Sequence, residues 1–334
     1  MKKVEELNYQ SKLNLFDTQI AIKDVKDTFQ KELVKKLHLK RVTAPLFVRQ
    51  STGLNDNLNG YEKPVSFRVP FVDEDIEIVH SLAKWKRKAL GKYNFYVDTG
   101  LYTDMNAIRK DENVDFYHSL YVDQWDWEKV IEEKHRNYRY LKSTVNKIYS
   151  CIYNLEKHIS HKYPILKQEL PEKITFISTK ELEKMYPNMS SKEREDEIAR
   201  KYKAVFLYQI GGKLKDGKPH DGRAADYDDW KLNGDIIVYY SMYDMAFELS
   251  SMGIRVDKKS LVKQLKEKNE LYKLDNEYCQ DILNDRIPLT IGGGLGQSRL
   301  CMFMLKKAHI GEVQVSIWDE NEVEKLKKLN IELL

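Results

Sequence analysis

Apolar residues recur at intervals of three and four in two stretches of the chain, the spacing that places them on one face of a helix. The first stretch predicts an amphipathic helix over about residues 17–37, with the apolar positions Ile22, Val25, Phe29, Leu33 and Leu37. The second predicts a longer helix that ends before Pro164 and buries Leu141, Val145, Ile148, Ile152, Leu155 and Ile159. Pro45 bars the first helix from continuing.

Short apolar runs and polar helix-start signals mark the elements that follow. Residues 174–178 predict a strand, and two capping boxes, Ser178 with Glu181 and Ser190 with Glu193, predict helix starts. Residues 211–230 have no periodicity and predict a long loop, a kind of segment that often carries function. Further strands are predicted at 235–240, 246–249 and 254–256, before a helical pair, a glycine-rich segment and a last helix. Because no repeat or linker interrupts the chain, we expect a single domain over residues 1–334.

The composition argues against a nucleic-acid binder and against a membrane protein. The 334 residues include 56 Lys and Arg against 52 Asp and Glu, and the densest basic run, residues 84–88, is interrupted by Trp85. Three cysteines without a CxxC pair indicate neither a disulfide framework nor a structural zinc site. No segment approaches the ~20 apolar residues of a membrane span, and the N-terminal residues lack the apolar core of a signal peptide. We therefore expect a soluble, cytoplasmic protein.

The glycine-rich run IGGGLGQSR, residues 291–299, is the strongest single motif. A Rossmann loop would need glycine in place of Arg299 and a βαβ unit after it, for which too little chain follows. A P-loop would need a hydroxyl residue after its lysine, and the nearest candidate, GGKL at residues 211–214, lacks one. The remaining interpretation is a strand whose glycines leave room for a flat ligand, followed by a helix that delivers Arg299 to a phosphate.

This pattern, GxGxGxxR before an amphipathic helix over residues 300–305, resembles motif 3 of the class II aminoacyl-tRNA synthetases. Taken alone, it is also compatible with a glycine hinge beside a surface arginine. The other two motifs of the superfamily are matched upstream, in the expected order. Residues 37–47 resemble motif 1, a long helix followed by a strand with a buried proline. Residues 109–126 resemble the hairpin of motif 2, and alternation places on one face of its second strand His118, Leu120, Val122, Gln124 and Asp126.

Longer phrases resemble one member of this superfamily, the ammonia-dependent asparagine synthetases, or aspartate-ammonia ligases. They cover the chain nearly from end to end, at residues 56–58 with Gly60 and 62–63, 80–87, 100–103, 121–128, 225–230, 232–235, 247–256 and 291–299. The resemblance implies an α+β fold with a class II synthetase-like antiparallel sheet flanked by helices.

The same resemblance implies a two-step reaction. The side-chain carboxylate of L-aspartate attacks the α-phosphate of ATP and expels pyrophosphate, and ammonia then attacks the β-aspartyl-adenylate to give L-asparagine and AMP. Arg109 is expected to bridge the α-phosphate and the attacking carboxylate, because a guanidinium binds both in a planar fork. Arg299 is expected to hold the distal phosphates.

Glycines and acids complete the nucleotide site that the resemblance implies. Gly292, Gly294 and Gly296 are expected to line the binding site for ATP or AMP. Asp235 and Glu248 match an acidic pair that holds Mg²⁺ between phosphates, since this ion prefers hard oxygen ligands. Simple solvation at strand ends stays open as the alternative for both acids.

A further group of residues is assigned to the aspartate substrate. Lys86 would supply a cation, Asp126 and Asp228 would face the ammonium end, and other polar contacts would come from Ser81, Gln124, Ser251 and Arg255. A solvated helix face stays open as the alternative for the basic run that contains Lys86.

Asp56 is our hypothesis for the group that takes the proton from ammonium. It lies in a matched phrase after the motif 1 strand, and a carboxylate both attracts the cation and accepts a proton. The alternative is that Asp56 caps a turn with Asn57, since both residue types are common in turns.

Motif 1 forms the dimer interface in this superfamily, so we expect a homodimer. Free ammonia is the expected nitrogen source, because glutamine-dependent enzymes use an N-terminal cysteine and this chain has Lys2 there. The competing hypotheses are an aspartyl- or asparaginyl-tRNA synthetase core, which would use the α-carboxylate, and an inactive paralogue that binds adenylates. The length disfavours the first, so no tRNA is expected as a partner. Joint retention of Arg109, Asp235, Glu248 and Arg299 disfavours the second.

Overall fold

Two sheets organise the chain in a computed structural model that describes residues 3–56, 58 and 62–334. Their strands are β1 (Leu39–Arg41), β2 (Phe47–Arg49), β3 (Ser66–Val69), β4 (Val72–Ile78), β5 (Gly100–Ile108), β6 (Tyr121–Val130), β7 (Thr175–Ser178), β8 (Ala204–Tyr208), β9 (Asp228–Tyr240), β10 (Met245–Arg255) and β11 (Thr290–Gly296). The large sheet has the order β1-β5-β6-β11-β10-β9-β8-β7, and the small sheet has the order β2-β4-β3. Only the outermost pairs of the large sheet, β1 with β5 and β7 with β8, are parallel within the described ranges. The core of the sheet is therefore antiparallel, as predicted.

The helices flank the large sheet and its edges. They are α1 (Leu15–Leu37), α2 (Ala83–Lys92), α3 (Tyr138–Lys162), α4 (Thr179–Met185), α5 (Ser191–Tyr202), α6 (Lys258–Glu267), α7 (Glu277–Leu283), α8 (Gln297–Met304) and α9 (Glu320–Lys328). Both predicted capping boxes are present, at Ser178 and at Ser190. The two long predicted helices are confirmed as α1 and α3.

Strand β6 separates an apolar layer from a polar one. Because side chains alternate along a strand, Trp125 and Trp127 lie on one face and Gln124, Asp126 and Glu128 on the other. The tryptophans join the core formed with α1 and α3, where the rings of Phe29 and Trp125 lie 4.9 Å apart. The opposite face is thus left to polar groups.

The strands before the glycine-rich segment are longer than predicted. Strand β9 begins at Asp228 rather than Asp235, and one strand, β10, replaces the two short strands predicted at 246–249 and 254–256. The apolar pattern is interrupted there because polar residues of both strands face a cavity or are buried in ion pairs. A register shift between Glu248 and Ser250 marks a bulge at the same place.

Three details of the motif-like segments also differ from the prediction. Pro45 is only half-buried and lies between β1 and β2, because a residue without an N–H cannot continue the ladder. His118 and Leu120 lie in the loop before β6, where Asp115 accepts hydrogen bonds from the backbone N–H groups of Tyr117 (2.9 Å) and His118 (2.8 Å). Helix α8 is buried on nearly all sides rather than amphipathic.

Among the described residues, no helix is both long and apolar enough to span a membrane. Cys151, Cys279 and Cys301 are all buried thiols outside any disulfide.

Candidate active site

A cavity of about 350 Å³ lies against the polar face of the large sheet. Most of the predicted site residues meet there, although they come from distant parts of the chain. Those that line it are Asp56, Ser81, Lys86, Arg109, Gln124, Asp126, Asp228, Glu248, Ser251, Arg255, Gly294, Gly296 and Arg299. Asp235 and Gly292 lie close by but outside its lining.

Buried ion pairs form the floor of this cavity. Lys86 Nζ lies 2.9 Å from Asp126 Oδ1 and donates to the Gly293 carbonyl at 3.0 Å. Arg255 binds Glu128 through Nη2 at 2.7 Å and through Nε at 2.9 Å, and its Nη1 lies 2.5 Å from Asp228 Oδ1. These charged side chains are buried away from water, so each must be neutralised by an oppositely charged partner.

The pKa values of this cluster follow from burial and from charge pairing. Burial lowers the pKa of the Lys86 ammonium, although Asp126 and Glu128 oppose this. Burial likewise raises the pKa of the Asp228 carboxyl, with Arg255 opposing. For Glu128, burial is outweighed by Arg255 and Lys86, so its pKa is lowered and it stays ionised.

The basic run of α2 is buried rather than solvated. Lys84 pairs with Asp226 at 2.9 Å, and Arg87 donates to the carbonyls of Pro288 and Val256, both at 2.8 Å. Only Lys86 of this run lines the cavity, so the helix is anchored by its neighbours while Lys86 faces the site.

The glycines of β11 make room for these polar side chains. A Cβ at Gly292 would lie 1.8 Å from Glu128 Oε2, and one at Gly294 would lie 2.2 Å from Gln124 Oε1. Gly292 therefore accommodates the buried Glu128–Arg255 pair, whereas Gly294 and Gly296 also border the cavity. The glycines of β11 therefore leave space beside the strand, as the motif predicted, but the side chains of Glu128 and Gln124 fill part of this space.

The two arginines assigned to the phosphates, Arg109 and Arg299, both line the cavity. Arg109 follows directly after β5 and donates from Nη2 to the His80 carbonyl at 3.4 Å, while its buried Nε has no partner. Arg299, in the first turn of α8, lies over the Tyr117 ring with its guanidinium carbon 5.3 Å from the ring centroid. Both arginines are only half-buried and keep donors for a ligand.

Asp235 and Glu248 share a second cavity of about 230 Å³, which also contacts Arg299 and Tyr117. Arg223 Nη2 binds Asp235 Oδ2, while the buried Oδ1 has no partner. Burial, with Glu248 adding to it, raises the pKa of Asp235 to about 7. Within the described ranges no group of three or more His, Cys, Asp or Glu could hold a metal ion. Two carboxylates, of which Asp235 has a buried oxygen without a hydrogen-bond partner, suit an ion that takes its other ligands from phosphates and water.

Asp56 forms a local turn and also lines the cavity. Its Oδ1 accepts from the backbone N–H of Leu58 at 2.9 Å, the turn expected of an aspartate at this position. Its Oδ2 accepts from the Ser81 hydroxyl at 3.1 Å, and the residue lines the cavity. Asn57 and Gly60, which belong to the same sequence phrase, lie outside the described residues.

Among the residues that the sequence prediction did not assign, Glu128, Arg223 and Tyr227 stand out. Glu128 could have been found, because it continues the alternation of Gln124 and Asp126 along β6. Arg223 and Tyr227 line the cavity from the segment between β8 and β9. That segment has no periodicity, so nothing in the sequence indicates which of its side chains face the site.

Comparison with known families gives a consistent result. A family model for aspartate-ammonia ligase matches residues 16–330. The aspartate-ammonia ligase of Fusobacterium nucleatum subsp. nucleatum is 58% identical over 326 residues, which cover 98% of this chain and 99% of that protein. The aspartate-ammonia ligase of Clostridium tetani is 57% identical over 316 residues, covering 94% of this chain and 93% of that protein.

Solved structures with the same fold are synthetases of class II. The Entamoeba histolytica asparaginyl-tRNA synthetase in complex with asparaginyl-adenylate superposes with a TM-score of 0.63 at 13% identity, covering 90% of this chain and 66% of that one. The Pyrococcus horikoshii asparaginyl-tRNA synthetase with the same adenylate gives 0.61 at 15% identity, covering 89% and 68%. This chain thus spans about two thirds of their length, and the predicted fold class is confirmed.

Proposed function

The chain belongs to the aspartate-ammonia ligase family and is an ATP-dependent ligase of that activity, and we propose that it works through a β-aspartyl-adenylate formed in the large cavity. The observation that carries the mechanism is the meeting of two phosphate-directed arginines with two buried carboxylate–cation pairs in one cavity. A carboxylate does not condense with ammonium in water, so its oxygen must first be converted into a better leaving group. Transfer of AMP to that oxygen achieves this.

The first step needs positioning and charge stabilisation. Arg109 supplies an unpartnered Nε beside the cavity and can bind the α-phosphate together with the attacking carboxylate. Arg299, whose guanidinium lies over the Tyr117 ring, borders both cavities and can bind the distal phosphates. Gly294 and Gly296 keep the backbone of β11 close to the nucleotide.

Asp235 and Glu248 are the residues that would hold a magnesium ion with the phosphates of ATP. The unpartnered Oδ1 of Asp235 and the shared cavity support this assignment. Such an ion offsets the negative charge of the phosphates when it is bound.

Binding of the aspartate substrate must replace ion pairs within the protein by ion pairs between the protein and the substrate. Its α-carboxylate can bind Lys86 or Arg255, each now held by a protein carboxylate, and its ammonium can then take the carboxylates so released, Asp126 and Asp228. Gln124, Ser81 and Ser251 supply neutral hydrogen-bonding groups around the same space. In this scheme no buried charge is left alone at any stage.

The second step requires ammonia with a free lone pair. Ammonium enters with four protons, and Asp56 takes one of them, so that neutral ammonia attacks the acyl carbon. AMP then leaves with the bonding electrons of the acyl–oxygen bond, and the amide nitrogen releases a second proton to solvent. Asp56 is suited to take the first proton because the Leu58 amide fixes Oδ1 and the Ser81 hydroxyl fixes Oδ2, in a residue that lines the cavity.

We further propose that the enzyme is a cytoplasmic homodimer. The segment around Pro45 carries Leu46 and Phe47, which are 48% and 49% exposed, and such apolar surface is expected at a contact between subunits. The three reduced cysteines are consistent with a reducing compartment.

The test uses the purified protein with ATP, magnesium, L-aspartate and ammonium, without tRNA. We expect asparagine, AMP and pyrophosphate, and aspartate labelled with heavy oxygen in its side-chain carboxylate should pass one label to AMP. Label in inorganic phosphate would exclude the adenylate. Absence of asparagine with a folded protein would indicate the inactive paralogue.

A further inference from the structure

Arg223 lines the large cavity, and no step of the proposed reaction uses its charge. It lies in the segment between β8 and β9, and its side chain is 13% exposed. Nη1 lies 2.6 Å from Asp221 Oδ2, and Nη2 binds Asp235 Oδ2. The guanidinium therefore binds Asp235, one of the two carboxylates proposed to hold the magnesium ion.

The two members of this ion pair, Arg223 and Asp235, line different cavities. Arg223 lines the large cavity, whereas Asp235 lines the smaller one, and Asp221 and Glu248 line both. Arg223 thus connects the cavity that Arg109 lines with the acidic pair, which is the course expected of the polyphosphate if the proposed function is correct.

We propose that Arg223 is a placeholder cation that neutralises Asp235 in the free enzyme, and that it moves to the β- and γ-phosphates when the magnesium–ATP complex takes Asp235. This inference rests on the proposed function, since it names a further binding residue for the same nucleotide.

The exchange follows from the requirement that buried charges stay compensated. Without a cation, the Asp235 carboxylate would be a buried charge, which is strongly unfavourable. When a metal ion takes that role, the guanidinium keeps the exposed Asp221 but loses its buried partner, so Nη2 can bind another anion. A phosphate provides one, and guanidinium groups bind phosphate oxygens through paired hydrogen bonds.

Arg223→Met and Asp235→Asn should change the affinities for Mn²⁺ and for pyrophosphate in opposite directions. In Arg223→Met the competitor for Asp235 is gone, so the nucleotide-free protein should bind Mn²⁺ about tenfold more tightly, while metal-free pyrophosphate should bind about tenfold more weakly. In Asp235→Asn the guanidinium is released, so metal-free pyrophosphate should bind more tightly and Mn²⁺ binding should be lost. Affinity for AMP, which has no β- or γ-phosphate, should change less than about twofold in Arg223→Met.

The experiment is titration calorimetry of the full chain with Mn²⁺, inorganic pyrophosphate and AMP, each alone. Arg200→Met is the matched control, since Arg200 also binds two carboxylates, Asp244 and Glu197, but lies outside both cavities. It should leave all three affinities unchanged. Arg223→Lys, which keeps the charge, should restore part of the pyrophosphate affinity and covers the case in which the methionine variant folds poorly.

A uniform loss of affinity for all three ligands in Arg223→Met and Arg223→Lys would show that Arg223 only anchors its loop, and would overturn the proposal. So would tighter pyrophosphate binding in Arg223→Met. None of these measurements needs turnover, so a failure here is distinguishable from a failure to make asparagine.

Discussion

Replacing Asp56 with Asn tests the second step of the reaction while preserving the shape of the side chain. Asp56 is 3% exposed, and each carboxylate oxygen accepts one hydrogen bond, from the Leu58 amide at 2.9 Å and from the Ser81 hydroxyl at 3.1 Å. Asparagine has only one side-chain oxygen and no charge. It can keep the turn with Leu58 and place its amide toward Ser81, whose hydroxyl can rotate and accept instead of donate.

The structure therefore predicts a small effect on stability and a large one on rate. Exchanging one hydrogen bond for another should lower the free energy of unfolding by about 0.5 to 1.5 kcal/mol. Losing a general base should slow asparagine formation by about 100 to 10,000-fold, equivalent to about 3 to 5 kcal/mol in the barrier. The adenylation step does not involve this proton transfer and should be nearly unaffected.

Two assays separate the steps. Exchange of labelled pyrophosphate into ATP in the presence of aspartate reports adenylate formation, and asparagine formed from ammonium reports the whole reaction. Ser81→Ala is the matched control, because it removes the hydrogen-bond partner but keeps the carboxylate, and it should lower both rates only a few-fold. Equal loss of exchange and synthesis in Asp56→Asn would mean that Asp56 binds substrate or holds structure, and full retention of both would remove it from the reaction.

Three further outcomes are expected. Arg109→Ala and Arg299→Ala should each lower turnover by about 100 to 1000-fold with the unfolding transition preserved, because each removes a charge that stabilises the phosphoryl transfer; near-normal turnover in steady-state assays would show that the arginine has another role. Arg255→Met should lower the free energy of unfolding in urea by about 3 to 5 kcal/mol, because two buried carboxylates lose their shared cation, and a change below about 1 kcal/mol would mean that they become protonated at little cost. Pro45→Gly should shift the protein toward monomer in sedimentation and lower activity in parallel, whereas a fully active monomer at micromolar concentration would contradict the proposed homodimer.

The sequence predicts those parts of the fold in which periodicity and burial coincide. Helices α1 and α3 bury one continuous stripe each, so their apolar spacing alone defines them. The capping boxes at Ser178 and Ser190 are equally local, since the hydroxyl, the acid and the backbone amide all lie within one turn. Such elements need no knowledge of the rest of the chain.

The prediction fails where polar side chains are buried by partners that are distant in sequence. Asp228 looks like a loop residue because only Arg255, on the next strand, explains its burial. The basic run of α2 looks solvated for the same reason, since Asp226, which compensates Lys84, lies 142 residues further along the chain. The site residues themselves were assigned through resemblance to a family, and the roles of individual residues toward aspartate and ATP stay predictions.

The arrangement of charges also bears on what the cavity can select. Lys86 and Arg255 are each held by carboxylates, so a ligand with a carboxylate alone would displace a protein acid and leave that acid buried without a partner. A ligand that brings an ammonium together with its carboxylate compensates both the cation it takes and the acid it displaces. An α-amino acid meets this requirement, while a simple dicarboxylate such as succinate does not. The ion pairs that line the cavity therefore favour an amino acid over its deaminated analogue, independently of any contact with the side-chain carboxylate that reacts.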